Sequence, residues 1–319
     1  MAPKSSSSAG PSLCRVLLGL ALAGGLLSTR AAAQPVFVSD DGANAILQVG
    51  AGGSVSTYGT GVGVPEGLTF DSSGNLYVAN ATTNSIMTIA PGGGVATTLV
   101  TGVSASGLAA DSNGNVFATD NGSNVFKVTP GINGTTAATF ATGFSDVLGL
   151  AFDSSGNLFV ADGGTNTLYK IAPDGTVLPF ATSANGLSGY LDGVAVGFGG
   201  NIYVSDITGG NVFQVTPGGA VSIFATGLTH ARGLSFDPTT NLLFVTTGYS
   251  SFNGAGLSEI TSTGVVSFLA GNLTDANYTA IMPAVMPVPE PGTWALLLLG
   301  ATQLACWTKR SRRVHRQGD

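Results

Sequence analysis

The sequence predicts an all-β fold: a closed ring of six blades, each of four short antiparallel strands. Three observations predict it. A unit recurs at starts 40, 42, 44 and 40 residues apart, counted from Gly67, Gly107, Gly149, Gly193 and Gly233. Each copy alternates short β-forming runs with turn residues. Glycine supplies 48 of 319 residues, about twice the usual ~7%, and glycine is costly inside helices.

The first clear copy is Gly67-Leu-Thr-Phe-Asp-Ser-Ser-Gly-Asn-Leu-Tyr-Val-Ala-Asn80, and Gly107 to Asp120 and Gly149 to Asp162 follow it closely. Gly193 to Asp206 and Gly233 to Thr246 are looser versions. Within a copy the Gly-Leu-x-Phe run is the first strand. The Asp-Ser-Ser-Gly-Asn turn follows, where Asp bonds the backbone ahead of it and Gly accepts positive φ. Asn-Leu-Tyr-Val-Ala is the second strand, Ser85 to Ala90 the third and Val95 to Val100 the fourth, with Pro91-Gly-Gly-Gly94 turning between the last two. Four strands in roughly 40 residues is the period of a propeller blade. A lone blade cannot bury both its faces, so blades must stack around an axis.

Five copies are complete and a sixth is split. Pro35 to Asp40 matches a second strand and Ala45 to Val49 a third, so the chain enters its first blade one strand late. The missing innermost strand is expected from Tyr278 to Pro283, which would close the ring by pairing the two chain ends. Closure removes exposed sheet edges.

The repeats resemble NHL-repeat β-propellers and the related gluconolactonase-like (senescence marker protein-like) and streptogramin-lyase-like propellers. The shared element is Gly-Leu-x-x-Asp-x-x-Gly-Asn-Leu-Tyr-Val-Ala-Asp, over about Val36 to Ala284. The resemblance is specific for the fold and unspecific for function, since propellers host unrelated activities.

The ends read as targeting segments. Lys4 and Arg15 precede a 12-residue apolar run, Val16 to Leu27, and Ala31-Ala32-Ala33 offers a cleavage site before Gln34. That is the layout of a secretory signal peptide, and the run is short of the roughly 20 residues a spanning helix needs. At the other end, Val288-Pro289-Glu290-Pro291-Gly292-Thr293 precedes an uncharged stretch from Trp294 to Trp307, then Lys309, Arg310, Arg312, Arg313 and Arg316. This tail resembles the PEP-CTERM sorting signal of Gram-negative bacteria, with Pro289, Glu290 and Pro291 as its signature. The resemblance implies export, a transient inner-membrane helix, and processing by an exosortase-type membrane protease. It also ties the chain to exopolysaccharide and biofilm systems, so a polysaccharide or envelope protein is the expected ligand. The basic end is expected to stay cytoplasmic, with the exported part outside. The expected organisation is a signal peptide over 1–33, a propeller over 34–286 and a sorting segment over 287–319.

Charge is unevenly placed. Between Gln34 and Pro287 there are 15 acidic residues against Lys127, Lys170 and Arg232, a net charge near −12. Such a domain repels nucleic acid, whose binding rests on clustered Lys and Arg. Most of the Asp residues read as turn formers. Cys14 and Cys306 both lie in targeting segments, so the exported part is expected to have neither disulfide nor thiolate chemistry.

Candidate chemistry sits just before each blade's opening glycine, near the channel mouth: Glu66, Ser106, Leu148, Asp192 and Arg232. The gluconolactonase-like resemblance implies a divalent metal here, held by Glu, Asn and Asp. Glu66 and Asp192 fit the first and last, while Leu148 stands at the asparagine position and cannot ligate. Carboxylates suit Ca²⁺ or another hard divalent cation, which would polarise a lactone carbonyl. The alternative is that Glu66 and Asp192 are loop carboxylates, Glu66 pairing with Arg232, and that Ser106 and Arg232 help to bind a small polar ligand without reaction. The one histidine of the exported part, His230, lies off this position. It supports neither a catalytic triad nor a lyase-like site.

Overall fold

The computed structural model describes residues 34–130, 135–248, 255–271 and 273–283. The expected signal peptide, the PEP-CTERM segment and its apolar stretch lie outside the described residues. Among the described residues no helix is long and apolar enough to cross a membrane.

Among the described residues strands account for nearly all regular structure, and they form six sheets. Blade 1 runs outward from Pro65–Phe70 through Leu76–Asn80 and Ser85–Ile89 to Thr97–Thr101. Blades 2 to 5 repeat this order from inner strands Leu108–Ala110, Val147–Phe152, Leu191–Val196 and Leu234–Asp237. The inner strands touch in sequence around a closed circle, and the last of them, Ala276–Ile281, returns to Pro65–Phe70. The fold is a six-bladed β-propeller.

Blade 6 joins the chain ends as the repeat count required. Ala276–Ile281 is its inner strand and pairs antiparallel with Val36–Asp40, with Val36 opposite Ile281 and Val38 opposite Thr279. Buried Asp40 strengthens the joint: its carboxylate accepts from the amides of Ala43, Thr274 and Asp275 at 2.9, 2.7 and 3.1 Å and from the Thr274 hydroxyl. Phe37 then packs edge-on against Tyr58 and Phe70, with centroids 4.6 and 4.8 Å apart, carrying the core from blade 6 into blade 1.

One strand departs from the expected pattern. The run from Val95 divides: Thr97–Thr101 is the outer strand of blade 1, whereas Gly94–Val95 adds a parallel rung to Val55–Thr60 of blade 6. Gly93 and Gly94 adopt φ of +87° and +123°, which lets the chain cross between blades before it turns back.

The core lies between blades. Leu76 and Val78 face blade 6, in a cluster with Phe37 and Ile46. Tyr77 and Ala79 of the same strand face blade 2, in a cluster with Leu108 and Val116. Period-2 alternation therefore feeds two interfaces, and the second strands read as unbroken apolar runs because both their faces are buried. Full burial of each large aliphatic side chain is worth about 1.5–3 kcal/mol.

Candidate functional site: the channel mouth

The opening glycines of blades 1 to 5 are fixed by how closely blades meet at the axis. A Cβ on Gly67, Gly107, Gly149 or Gly193 would lie 2.2–2.3 Å from the carbonyl oxygen of Ser106, Leu148, Asp192 or Arg232 in the next blade. None of the four has positive φ, so the requirement is steric contact with backbone. On Gly233 the Cβ would lie 2.4 Å from Cα of Tyr278. Tyr278 therefore occupies the glycine position of blade 6, and Asn277 is the sixth residue of the mouth ring.

A register shift marks the same place in several blades. Between Pro65 and Leu68 the inner strand advances three residues while its partner, Asn80 to Val78, advances two. The shift recurs at Val147/Leu150 and Leu191/Val194, and in blade 6 between Ala276 and Thr279. Bulges of this kind re-aim a side chain. Here they fall at Glu66, Leu148, Asp192 and Asn277.

In blades 3 and 4 the loops that deliver these residues are held by the aspartate ending the second strand. Asp162 accepts from the amides of Ser145, Asp146 and Thr165 at 2.9, 3.2 and 3.1 Å. Asp206 accepts from Tyr190, Thr208 and Gly209, each at 3.0 Å. Both are buried. The aspartate ending the second strand of blades 3 and 4 is thus a clamp on the loop that leads to the mouth.

At the mouth, the carboxylate of Asp192 is fully buried and both its oxygens are engaged. The Tyr278 hydroxyl donates to Oδ1 at 2.7 Å, and Arg232 Nε donates to Oδ2 at 3.3 Å in an ion pair. Arg232 also donates through a terminal nitrogen to Asn277 Oδ1, and Asn277 Nδ2 donates to the Pro65 carbonyl at 3.3 Å. The Tyr278 hydroxyl lies 3.5 Å from Ser106 Oγ. Charged and polar groups from blades 1, 2, 4, 5 and 6 therefore meet here, and Glu66, Ser106, Asp192 and Arg232 all belong to the cluster.

Its electrostatics follow from burial. Burial pushes the Glu66 carboxyl above its ordinary range; the Arg232 charge opposes the shift, and Asp192, Asp41 and Asp275 reinforce it. Asp275 is raised in the same way, by burial first, with Arg232 opposing and Asp41 and Asp40 reinforcing. The Tyr278 phenol is raised well above its ordinary value, chiefly by burial and next by Asp192.

A cavity of about 280 Å³ lies along the axis, with Tyr278 in its lining. Its walls are the inner strands of all six blades, with Leu68, Leu108, Leu150 and Leu234 among them.

A divalent cation fits this donor set poorly. Among the described residues no group of three or more His, Cys, Asp or Glu side chains is placed to hold one. Asp192 has no oxygen left that is not already accepting a hydrogen bond. Leu148 is buried in the ring and offers no donor.

Comparison with known proteins adds a sorting signal and the fold. The PEP-CTERM protein-sorting motif matches residues 287–313. This chain is a six-bladed β-propeller that carries a PEP-CTERM motif. The motif marks it for export and for processing by exosortase, a membrane protein. No curated protein matches the chain. Among solved structures, a chain of a nidogen/laminin complex aligns with TM-score 0.67 at 17% identity, over 78% of this chain and 98% of that one. A streptogramin B lyase aligns with TM-score 0.58 at 16% identity, over 81% and 90%. A gluconolactonase from Xanthomonas campestris aligns with TM-score 0.55 at 14% identity, over 78% and 88%. At such identities the likeness speaks for the fold alone.

The sequence pointed to Glu66, Ser106, Asp192 and Arg232 at this position, and the structure brings them together. Arg232 forms an ion pair with Asp192, a partner the sequence did not suggest. Asn277 and Tyr278 were missed as mouth residues. The signal available was spacing: Tyr278 falls 45 residues after Gly233, in step with the repeat, but lacks its glycine.

Proposed function

We propose that this protein is an exported, non-catalytic binding or scaffold propeller of the cell envelope or extracellular matrix, with its ligand site at the channel mouth. A signal peptide would take it to the periplasm. Its tail would tether it to the inner membrane and be cut near Pro289-Glu290-Pro291, releasing the propeller to the cell surface or beyond. The observation that carries the non-catalytic reading is the state of Asp192. The carboxylate that a metal-dependent hydrolase would need is buried between a guanidinium and a phenol, both donating to it. Glu66, Ser106 and Arg232 then form a polar platform in an acidic rim, suited to a polysaccharide or to an envelope protein presenting hydrogen-bond donors.

Two measurements test this. Intact mass of the exported protein should show loss of everything beyond the Pro-Glu-Pro triplet, and a mature protein retaining Trp294 to Asp319 would refute the sorting step. The purified protein should turn over no small lactone with or without Ca²⁺. Metal-dependent hydrolysis abolished by both Glu66→Ala and Asp192→Ala would refute the non-catalytic reading.

A further inference from the structure

The gluconolactonase-like resemblance calls for a divalent cation between Glu66 and Asp192, and the donor set does not fit one. We infer that Arg232 and the Tyr278 hydroxyl are built-in replacements for that cation. Together they supply what an ion would supply: positive charge to a buried carboxylate and donors to both of its oxygens. A fully desolvated carboxylate is costly unless it is paired and hydrogen-bonded. Asp192 is 0% exposed, and Arg232 beside it only 12%, so the pairing is internal to the fold.

The geometry also shows the replacement acting mechanically. From Asp192 in blade 4 the contacts run through Arg232 in blade 5 to Asn277 in blade 6 and the Pro65 carbonyl in blade 1. A divalent ion joins blades by drawing their oxygens to one point. Here a planar guanidinium with several fixed donors joins blades 4, 5 and 6, and Asn277 extends the link from blade 6 to blade 1. Tyr278 adds blade 2 through Ser106. The bulk of Tyr278 is possible only because blade 6 lacks the glycine that the other five blades carry. The residue that departs from the repeat is therefore also one of the two donors to Asp192.

The inference goes beyond the proposed function, because it would hold for any ligand. Its test is a thermal unfolding titration of the full chain with CaCl₂, MgCl₂ or MnCl₂ at about 5 mM, above the ~10⁻⁴–10⁻³ M dissociation constants of extracellular calcium modules. The wild type is expected to show no shift. Arg232→Met is expected to melt lower in the absence of cation and to regain about 5 °C with Ca²⁺, because the vacated carboxylates now bind it. Arg232→Lys, which keeps a charge, is expected to stay cation-insensitive. If Arg232→Met does not fold, the double variant Asp192→Asn/Arg232→Met decides the matter: removing both charges together should restore folding with no cation response.

Cation stabilisation of the wild type would overturn the inference. So would an Arg232→Met protein that folds without gaining a cation response, or a double variant that fails to fold. A wild type that binds Ca²⁺ without lactone turnover would sink this inference and leave the non-catalytic reading standing. Turnover without any cation response would do the reverse.

Discussion

Adding one methyl group at Gly149 tests the ring geometry directly. In Gly149→Ala the new Cβ would sit 2.3 Å from the Asp192 carbonyl oxygen, 2.8 Å from Gly193 Cα and 2.8 Å from Val194 N. All three are backbone atoms of the next blade, so no side-chain rotamer can relieve the clash and blades 3 and 4 must separate. Gly149 lacks positive φ, so alanine carries no conformational penalty of its own and the effect isolates the inter-blade contact. Overpacking typically costs about 1–3 kcal/mol, and three contacts with rigid backbone put this case at the upper end, about 3 kcal/mol. For a domain of this size that is a fall of about 6–12 °C in Tm. Gly52→Ala is the control, because nothing lies within 4 Å of its Cβ position and its φ is not positive; a change within about ±0.5 kcal/mol is expected there. Guanidinium denaturation of the full chain followed by circular dichroism reads both. A Gly149→Ala protein as stable as the control would show that the blades do not approach as described, and the steric account of the repeat's glycines would fall with it.

Asp40→Ala strips the acceptor from three backbone amides at the seam of the ring; a loss of about 1–3 kcal/mol is expected, with hydrogen exchange fastest at Val36–Asp40 and Ala276–Ile281. A uniform rise in exchange would argue against a local seam. Glu66→Gln tests the raised Glu66 carboxyl. A raised folded-state pKa favours the fold below the ordinary value of 4.5, and that contribution is lost as pH rises through the folded value. The variant should therefore match the wild type below 4.5 and become the more stable of the two as pH rises above it; Tm measured across that range gives the answer, and a constant offset would refute it. Burial, then the Asp71 charge, raises the Tyr77 phenol to about 12 from 10.0, so its contribution to stability is lost as pH climbs through that interval. Tyr77→Phe should remove one phenolate absorbance step near 12, and loss of a step near 10 would contradict the contact with Asp71. Tyr278→Phe deletes one donor to buried Asp192 at a cost of about 1–3 kcal/mol, whereas Tyr278→Gly also empties the axis and should cost about 3–5 kcal/mol or more. Equal losses in chemical denaturation would mean that the ring packs against nothing.

Much of the fold could be read from the chain because its determinants are local and repeated. Asp111-Ser-Asn-Gly-Asn115 is a turn on its own terms: Asp111 accepts from the amides of Asn113 and Asn115 at 2.9 Å, and Gly114 takes φ of +80°. The missing inner strand could be assigned by counting, and it runs over Ala276–Ile281, two residues ahead of the expected Tyr278 to Pro283. What could not be read is which side chains bond to one another across blades. The contacts of Asp40 with Thr274 span 234 residues, and that of Tyr278 with Asp192 spans 86. Neither leaves a local pattern. Tyr278 also breaks the one motif by which its blade could be recognised, so the residue that fills the axis is the one the repeat conceals. The excursion of Gly94–Val95 to blade 6 was hidden for the opposite reason, since three consecutive glycines permit nearly any path and specify none.

The same division explains the acidity of the exported part. Of its 15 carboxylates, Asp71, Asp111, Asp153 and Asp237 cap the hairpin turns at one end of the ring. Asp40, Asp162 and Asp206 clamp loops at the mouth end, and Asp120 and Asp174 accept amides within their own turns. Those nine are structural acceptors, so net charge alone says little about what the protein binds. Among the remaining six, Asp41, Glu66, Asp192 and Asp275 gather around Arg232, the only arginine between Gln34 and Pro287. The carboxylates that the fold does not need as amide acceptors are therefore concentrated at one place. Burial raises the carboxyl groups of Glu66 and Asp275 there. A ligand bound at the mouth as proposed would meet these carboxyl groups and a long-range attraction that salt screens. Recognition at this site should accordingly weaken with ionic strength while the ring itself, held by buried contacts, does not.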